Sequence, residues 1–203
     1  MNRQRTEFLK KGDDRKSSAK ADTEKAAAEK EGLVHMYFGD GKGKTTAAVG
    51  LAARAAGRGR RVLFAQFLKG RKTGELNSIK KFDARVIRSE KSKRFCWEMT
   101  DEEIAECRMI QAELLDEIKE IIHGAEQIDL LVLDESLNAA ERGLLDEDAL
   151  RDFIMQKPRG LEIVLTGRTA PEWLMERADY ITEMKKHKHP FDKGVDGRMA
   201  IEF

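Results

Sequence analysis

The chain has little cysteine, no long apolar run and almost no net charge, and each shortage excludes something. Two cysteines, Cys96 and Cys107, are too few for a disulfide framework or a thiolate metal cluster, so a reducing, cytoplasmic setting is expected. No apolar stretch approaches the roughly 20 residues that a bilayer span needs, which predicts no membrane partner. The opening MNRQRTEFLKKGDDRK carries no apolar segment of the length used by a secretory signal, in keeping with that expectation. Lys and Arg number 38 against 37 Asp and Glu, a formal net charge of +1, which removes the general attraction to polyanions that marks a dedicated nucleic-acid binder.

What remains is a chain of 203 residues, 37% charged and 40% hydrophobic, enough for one compact core. Its charge is unevenly spread. Residues 1–30 hold nine Lys/Arg against six Asp/Glu and almost nothing apolar beyond Phe8, Leu9 and alanines, which leaves 29 basic and 31 acidic residues for the remainder. Such a segment cannot build a core. It reads as a charged arm, either a solvated tail or a cap that orders over an anionic ligand, preceding a domain at 31–203.

From Leu33 onward short apolar runs alternate with longer amphipathic stretches, the pattern of a parallel sheet built from βαβ units. Strands are expected at Leu33–Phe38, Val62–Phe67, Leu130–Leu133 and Leu161–Thr166, with weaker ones at Arg85–Ile87 and Tyr180–Met184. Helices are expected at Lys44–Arg58, at Asp101–His123 and at Glu147–Gln156, the last stopping before Pro158. Thr100 and Glu103 have the spacing of a capping box ahead of the second helix, and Gly124 follows its end.

Between the first strand and the first helix lies GDGKGKTT, Gly39 to Thr46. Glycines at 39, 41 and 43 let the backbone curl and turn its N–H groups toward phosphate oxygens, while the helix behind them adds the positive end of its dipole. Lys44 would supply a cation and Thr45 a hydroxyl ligand for Mg²⁺. The strict phosphate-loop spacing needs a glycine where Phe38 stands, so the motif is a variant. Downstream, LLVLDE ends in Asp134 and Glu135 at a strand tip, where nucleotide-binding sheets place acids that hold Mg²⁺. A third strand ends in Gly167 and Arg168, which puts a guanidinium on the same edge. His187 and His189, in KKHKHPFD, read as part of a polar loop after the last strand, with His and Lys near the phosphates. No N/T-K-x-D element is present for recognising guanine. Phosphate-loop hydrolysis, phosphoryl transfer and simple carriage of a nucleotide all stay open on these residues alone.

Taken in order, the motifs resemble the ATP:corrinoid adenosyltransferases of the phosphate-loop type, also called cob(I)alamin adenosyltransferases. The resemblance runs from about Gly32 to Phe203. It rests on GDGKGKTTAA with ARAAGRG after it, QFLKG at 66–70, TGE at 73–75, FCW at 95–97, LLVLDE, LTGR at 165–168, and KHPFDKG with a closing IEF. It implies a RecA-like phosphate-loop α/β fold, with helices on both faces of a mostly parallel sheet, and a homodimer. It also implies transfer of the 5′-deoxyadenosyl group of ATP to the cobalt of a Co(I) corrinoid such as cobalamin, with triphosphate released.

The same resemblance assigns residues. ATP would be held by Gly39, Asp40, Gly41, Lys42, Gly43, Lys44, Thr45 and Thr46, with Arg54, Glu75, Arg168 and His189. Mg²⁺, or Mn²⁺, would sit on Thr45, Asp134 and Glu135. The cobalt itself is the nucleophile, so no protein base is implied, and Lys44 and Glu135 would serve the departing triphosphate and its metal. Phe95 and Trp97 would crowd the lower face of the corrinoid and displace its axial base, which makes Co(II) easier to reduce. A flavoprotein or similar reductase is implied as electron donor. The competing expectations are a phosphate-loop ATPase or kinase of another target, and a non-catalytic carrier of adenosylcobalamin or nucleotide.

Overall fold

A computed structural model describes residues 31–70, 73–88 and 100–201. The arm at 1–30 and both Phe95 and Trp97 lie outside the described residues. Six strands form one parallel sheet: β1 (Val34–Phe38), β2 (Val62–Gln66), β3 (Arg85–Arg88), β4 (Leu130–Asp134), β5 (Glu162–Thr166) and β6 (Tyr180–Glu183), in the order β3-β2-β4-β5-β1-β6. The loop-bearing β1 and the acid-bearing β4 are separated by β5, which pairs with both. This is the RecA-like arrangement expected from the sequence, and the four strong strands agree to within a residue.

Alternation along the central strands divides the core in two. Leu63, Ala65, Leu131, Leu133, Ile163 and Leu165 point to one face, where they pack with Leu115 and Ile118 of α3 (Asp101–His123) and Leu150 and Ile154 of α5 (Glu147–Met155). Val62, Phe64, Leu130, Val132 and Val164 point to the other, against Ala48 and Ala52 of α1 (Lys44–Ala56) and Ile79 of α2 (Gly74–Lys81). Burial on both faces explains why these strands are continuously apolar. Truncating a fully buried side chain such as Ile118 to Ala would cost about 2–5 kcal/mol.

The helix α3 starts as its sequence requires. Thr100 Oγ1 accepts from the Glu103 N–H at 3.3 Å, and the Glu103 carboxylate accepts from the Thr100 N–H at 2.9 Å. The buried stripe is Cys107, Gln111, Leu114, Leu115, Ile118 and Ile122, which brings in Gln111, a residue the apolar spacing passes over. Three short helices also lie outside the expected set: α2, α4 (Ser136–Glu141) and α6 (Glu172–Arg177). Ala200 has a left-handed backbone, φ 66°.

Candidate active site

The C-terminal ends of β1, β2, β4 and β5 meet at the mouth of the loop. Gly39 and Gly41 do not aim their N–H groups at a phosphate position as the sequence predicts. The Gly39 N–H donates to the Arg168 carbonyl at 3.1 Å and the Gly41 N–H to the Met184 carbonyl at 2.6 Å. Glycine is required here by contact instead. A Cβ on Gly41 would stand 2.5 Å from the Met184 oxygen, and one on Gly39 2.6 Å from it. These two residues therefore seal the loop to the exit of β6. N–H groups free to meet an anion belong to the first turn of α1, whose N-cap, Gly43, makes no side-chain cap.

Lys44 folds back over its own loop, donating to the Gly39 and Gly41 carbonyls at 2.7 and 2.6 Å. Burial holds its ammonium below the usual lysine range, the neighbouring Arg168 adds to this, and Glu135, Asp40 and Asp134 oppose it. A desolvated cation beside a second cation is stabilised by an arriving anion. Asp40 is tied to the far side of the site, because its Oδ1 accepts the Lys186 N–H at 2.8 Å, and that bond lowers its pKa. Lys42, Lys185, Lys186, His187, Lys188 and His189 line a cavity of about 450 Å³ against Gly41. The structure thus brings His189 and the polar loop to the phosphate loop, as expected. Thr46 is exposed in the first turn of α1. Arg54 is different: it lies in the last turn of α1, ten residues and about 15 Å of helix from Lys44.

At the tip of β4, Asp134 is fully buried and its carboxylate is fully used. Oδ1 accepts from the Thr45 hydroxyl at 2.9 Å and the Thr166 hydroxyl at 2.8 Å; Oδ2 accepts from Lys69 Nζ at 2.7 Å and Gln66 Nε2 at 3.4 Å. Lys69 also lies 3.4 Å from both Glu75 Oε1 and Thr45 Oγ1. Burial works against its charge, yet Asp134, with Glu135 and Glu75, outweighs burial and raises its pKa. For Glu75, burial raises the carboxyl, while its own backbone N–H, Thr73, Lys69 and Gln66 prevail and lower it. Glu135 has a left-handed backbone, φ 63°, its N–H donates to Thr166 Oγ1 at 2.9 Å, and its carboxylate accepts from Asn138 Nδ2. Asn138 Oδ1 in turn takes the Arg168 N–H at 2.7 Å, which ties the ends of β4 and β5 together.

Sequence reasoning passes over Lys69, Gln66, Thr166 and Asn138. Lys69 lies inside QFLKG, yet its meaning depends on the left-handed Leu68 (φ 57°) that turns it toward Asp134, and no local pattern signals that turn. As a donor set, Thr45 and the acids offer hard oxygens without thiolate or imidazole, which suits Mg²⁺ or Mn²⁺. The Thr45 hydroxyl donates to Asp134 and faces the Lys69 ammonium at 3.4 Å, which leaves it one further lone pair for a metal ion. Gln66 Oε1 is buried beside them without a hydrogen-bonding partner among the described residues, a further oxygen for a metal's water. The residues present fit such an ion.

A family model described as ATP:corrinoid adenosyltransferase BtuR/CobO/CobP matches residues 30–203. The chain belongs to this family. It is 33% identical over 178 residues to a corrinoid adenosyltransferase of Pseudomonas aeruginosa, covering 87% of this chain and 86% of that one. It is 34% identical over 202 residues to one from Sinorhizobium sp, covering 94% and 93%. A third, from Escherichia coli K12, is 30% identical over 188 residues, covering 91% and 92%. As an ATP:corrinoid adenosyltransferase, the chain is an enzyme whose substrates are ATP and a corrinoid, and its reaction is adenosyl transfer. Among the described residues no helix is long and apolar enough to cross a membrane.

Proposed function

We propose that this adenosyltransferase holds the triphosphate of ATP against Lys44, Arg168 and the first turn of α1, and neither promotes attack at phosphorus nor activates a water. The observation that carries this reading is the crowding of cations around a loop whose nearby acids are already engaged. Asp134 is saturated by four donors and Glu135 is held by Asn138, so neither is poised as a general base for water. A site built this way stabilises a leaving polyphosphate. The bond broken is C5′–O5′ of ATP and the bond formed is carbon to cobalt, the electron pair coming from Co(I) and the C–O pair leaving with triphosphate.

Mg²⁺ or Mn²⁺ would be held by Thr45, and by Asp134 once one of its four donors has moved away, with Glu135 near, and would supply neutralisation of phosphate charge. Lys44 would swing from the Gly39 and Gly41 carbonyls to the phosphates, and the basic loop at 185–189 would close the far side. Phe95 and Trp97 would act on the corrinoid's lower face. The charged arm at 1–30, which precedes the proposed catalytic domain at 31–203, would order over the bound corrinoid. We further place the enzyme in the cytoplasm as a homodimer that receives electrons from a flavoprotein or similar reductase. Exposed Tyr180 and Ile181 on the edge strand β6 support an interface with a second copy.

The test is the phosphate product. With ATP, Mg²⁺ and chemically reduced cobalamin, ³¹P NMR should find intact triphosphate accumulating in step with adenosylcobalamin. Orthophosphate without a cobalt–carbon product would point to an ATPase, and bound corrinoid without turnover to a carrier.

A further inference from the structure

Lys69 is held by a set of contacts that adenosyl transfer does not itself require. Lys69 follows β2 through an elbow clamped at three points. The Phe67 N–H donates to the Asp134 carbonyl at 2.9 Å, the Leu68 N–H to Gln111 Oε1 of α3 at 3.3 Å, and the Lys69 carbonyl accepts from Arg88 of β3 at 2.6 Å. Leu68 accepts a left-handed backbone at φ 57°, a conformation that costs a bulky L-residue free energy. The elbow delivers one ammonium to one place. It is 2.7 Å from Asp134, and 3.4 Å from both Thr45 Oγ1 and Glu75 Oε1, with about a fifth of its side chain exposed.

Those coordinates are where a cation shared by Thr45 and Asp134 would have its own ligand shell. Two cations a few ångströms apart repel strongly in a site with little water. Resting on the metal assignment proposed above, we infer that Lys69 is an internal cation that holds the Thr45–Asp134 pair closed to free divalent ions, and that yields Asp134 only when metal and nucleotide arrive together. Glu75, at the start of α2, is its second anchor: Lys69 swings from Asp134 toward a carboxylate it already faces. Lys69 is thus a positioning residue that couples metal entry to ATP. Gln66, donating to Glu75 at 3.2 Å and to Asp134 at 3.4 Å, keeps the two anchors in register.

The probe is Mn²⁺ alone, its unbound fraction read by EPR with the full chain and no nucleotide. Lys69→Met should bind Mn²⁺ at least about tenfold more tightly than the unaltered protein, the order expected from deleting one charge beside the ligands. Asp134→Asn in the same background should abolish that gain. Affinity in Lys69→Met equal to or weaker than in the unaltered protein overturns the inference. Should Lys69→Met not fold, ¹⁵N-lysine NMR of the unaltered chain decides. The Lys69 ammonium signal, assigned by its loss in Lys69→Arg, must move on adding Mg²⁺ with ATP, and an unmoved signal overturns the inference. Failure of the underlying reading looks different: Asp134→Asn alone would then leave Mn²⁺ affinity in the presence of ATP unchanged, and both would fall together.

Discussion

Gly41 does its work by having no side chain. Its α-carbon approaches the Met184 carbonyl so closely that any Cβ, at 2.5 Å, must push β6 and the phosphate loop apart. Gly41→Ala should therefore destabilise by roughly 1–3 kcal/mol, read as a lower midpoint in urea, and weaken ATP binding in calorimetry. Unchanged values for both would show that the seal between loop and β6 is dispensable. Of the roles proposed above, that of Trp97 has the sharpest kinetic signature. Trp97→Ala should lose at least about tenfold in rate when the corrinoid is supplied as Co(II), and keep most of its rate when Co(I) is generated chemically; equal loss in both assays contradicts a role in reduction. At this scale Lys44, Thr45, Asp134, Glu135 and Arg168 were legible as a group because each follows a strand at a motif. Lys69 and Gln66 were not. One owes its direction to a left-handed Leu68, and the other sits inside an apolar strand, where its amide reads as an interruption.

Among the elements, legibility followed length and burial. The strands β1, β2, β4 and β5 were plain as apolar runs because both faces are covered. The edge strand β6 is exposed along its whole length and gave only a weak signal. The helices α4 and α6 span six residues each, too short to display a helical period, and α2 buries only Leu76 and Ile79. At the end of the sheet away from the loop, β1 and β5 are joined by side chains. His35 Nε2 lies 2.5 Å from Glu162 Oε1, and Glu162 Oε2 accepts the Leu33 N–H at 2.7 Å. Burial raises the Glu162 carboxyl, but the bonds from His35 and Leu33 prevail and its pKa lies below the ordinary value. A depressed folded pKa means that this stabilisation is complete above the unfolded value of about 4.3 and is lost as pH falls through the folded one. Urea midpoints of the unaltered protein and Glu162→Gln should thus differ most near neutrality and converge under acid; a gap that widens as pH falls would reverse the assignment.

For the whole molecule, near-neutrality proves to be an average. The arm is basic, the remainder slightly acidic, and the cations that matter are gathered at the loop by Lys42, Lys44, Arg168 and the lysines at 185–188. On our reading the arm adds to corrinoid binding and leaves ATP binding alone. Removing residues 1–30 should weaken corrinoid affinity with nucleotide affinity unchanged, and no change in either would make the segment a solvated tail. Whether C5′ of ATP is the reacting atom is read with ATP carrying ¹³C at that carbon. After turnover with Co(I) cobalamin, the label should appear as a cobalt-bound methylene in the corrinoid product, with unlabelled triphosphate beside it. Label remaining in ADP or in free nucleoside, with orthophosphate released, would instead put the reaction at phosphorus.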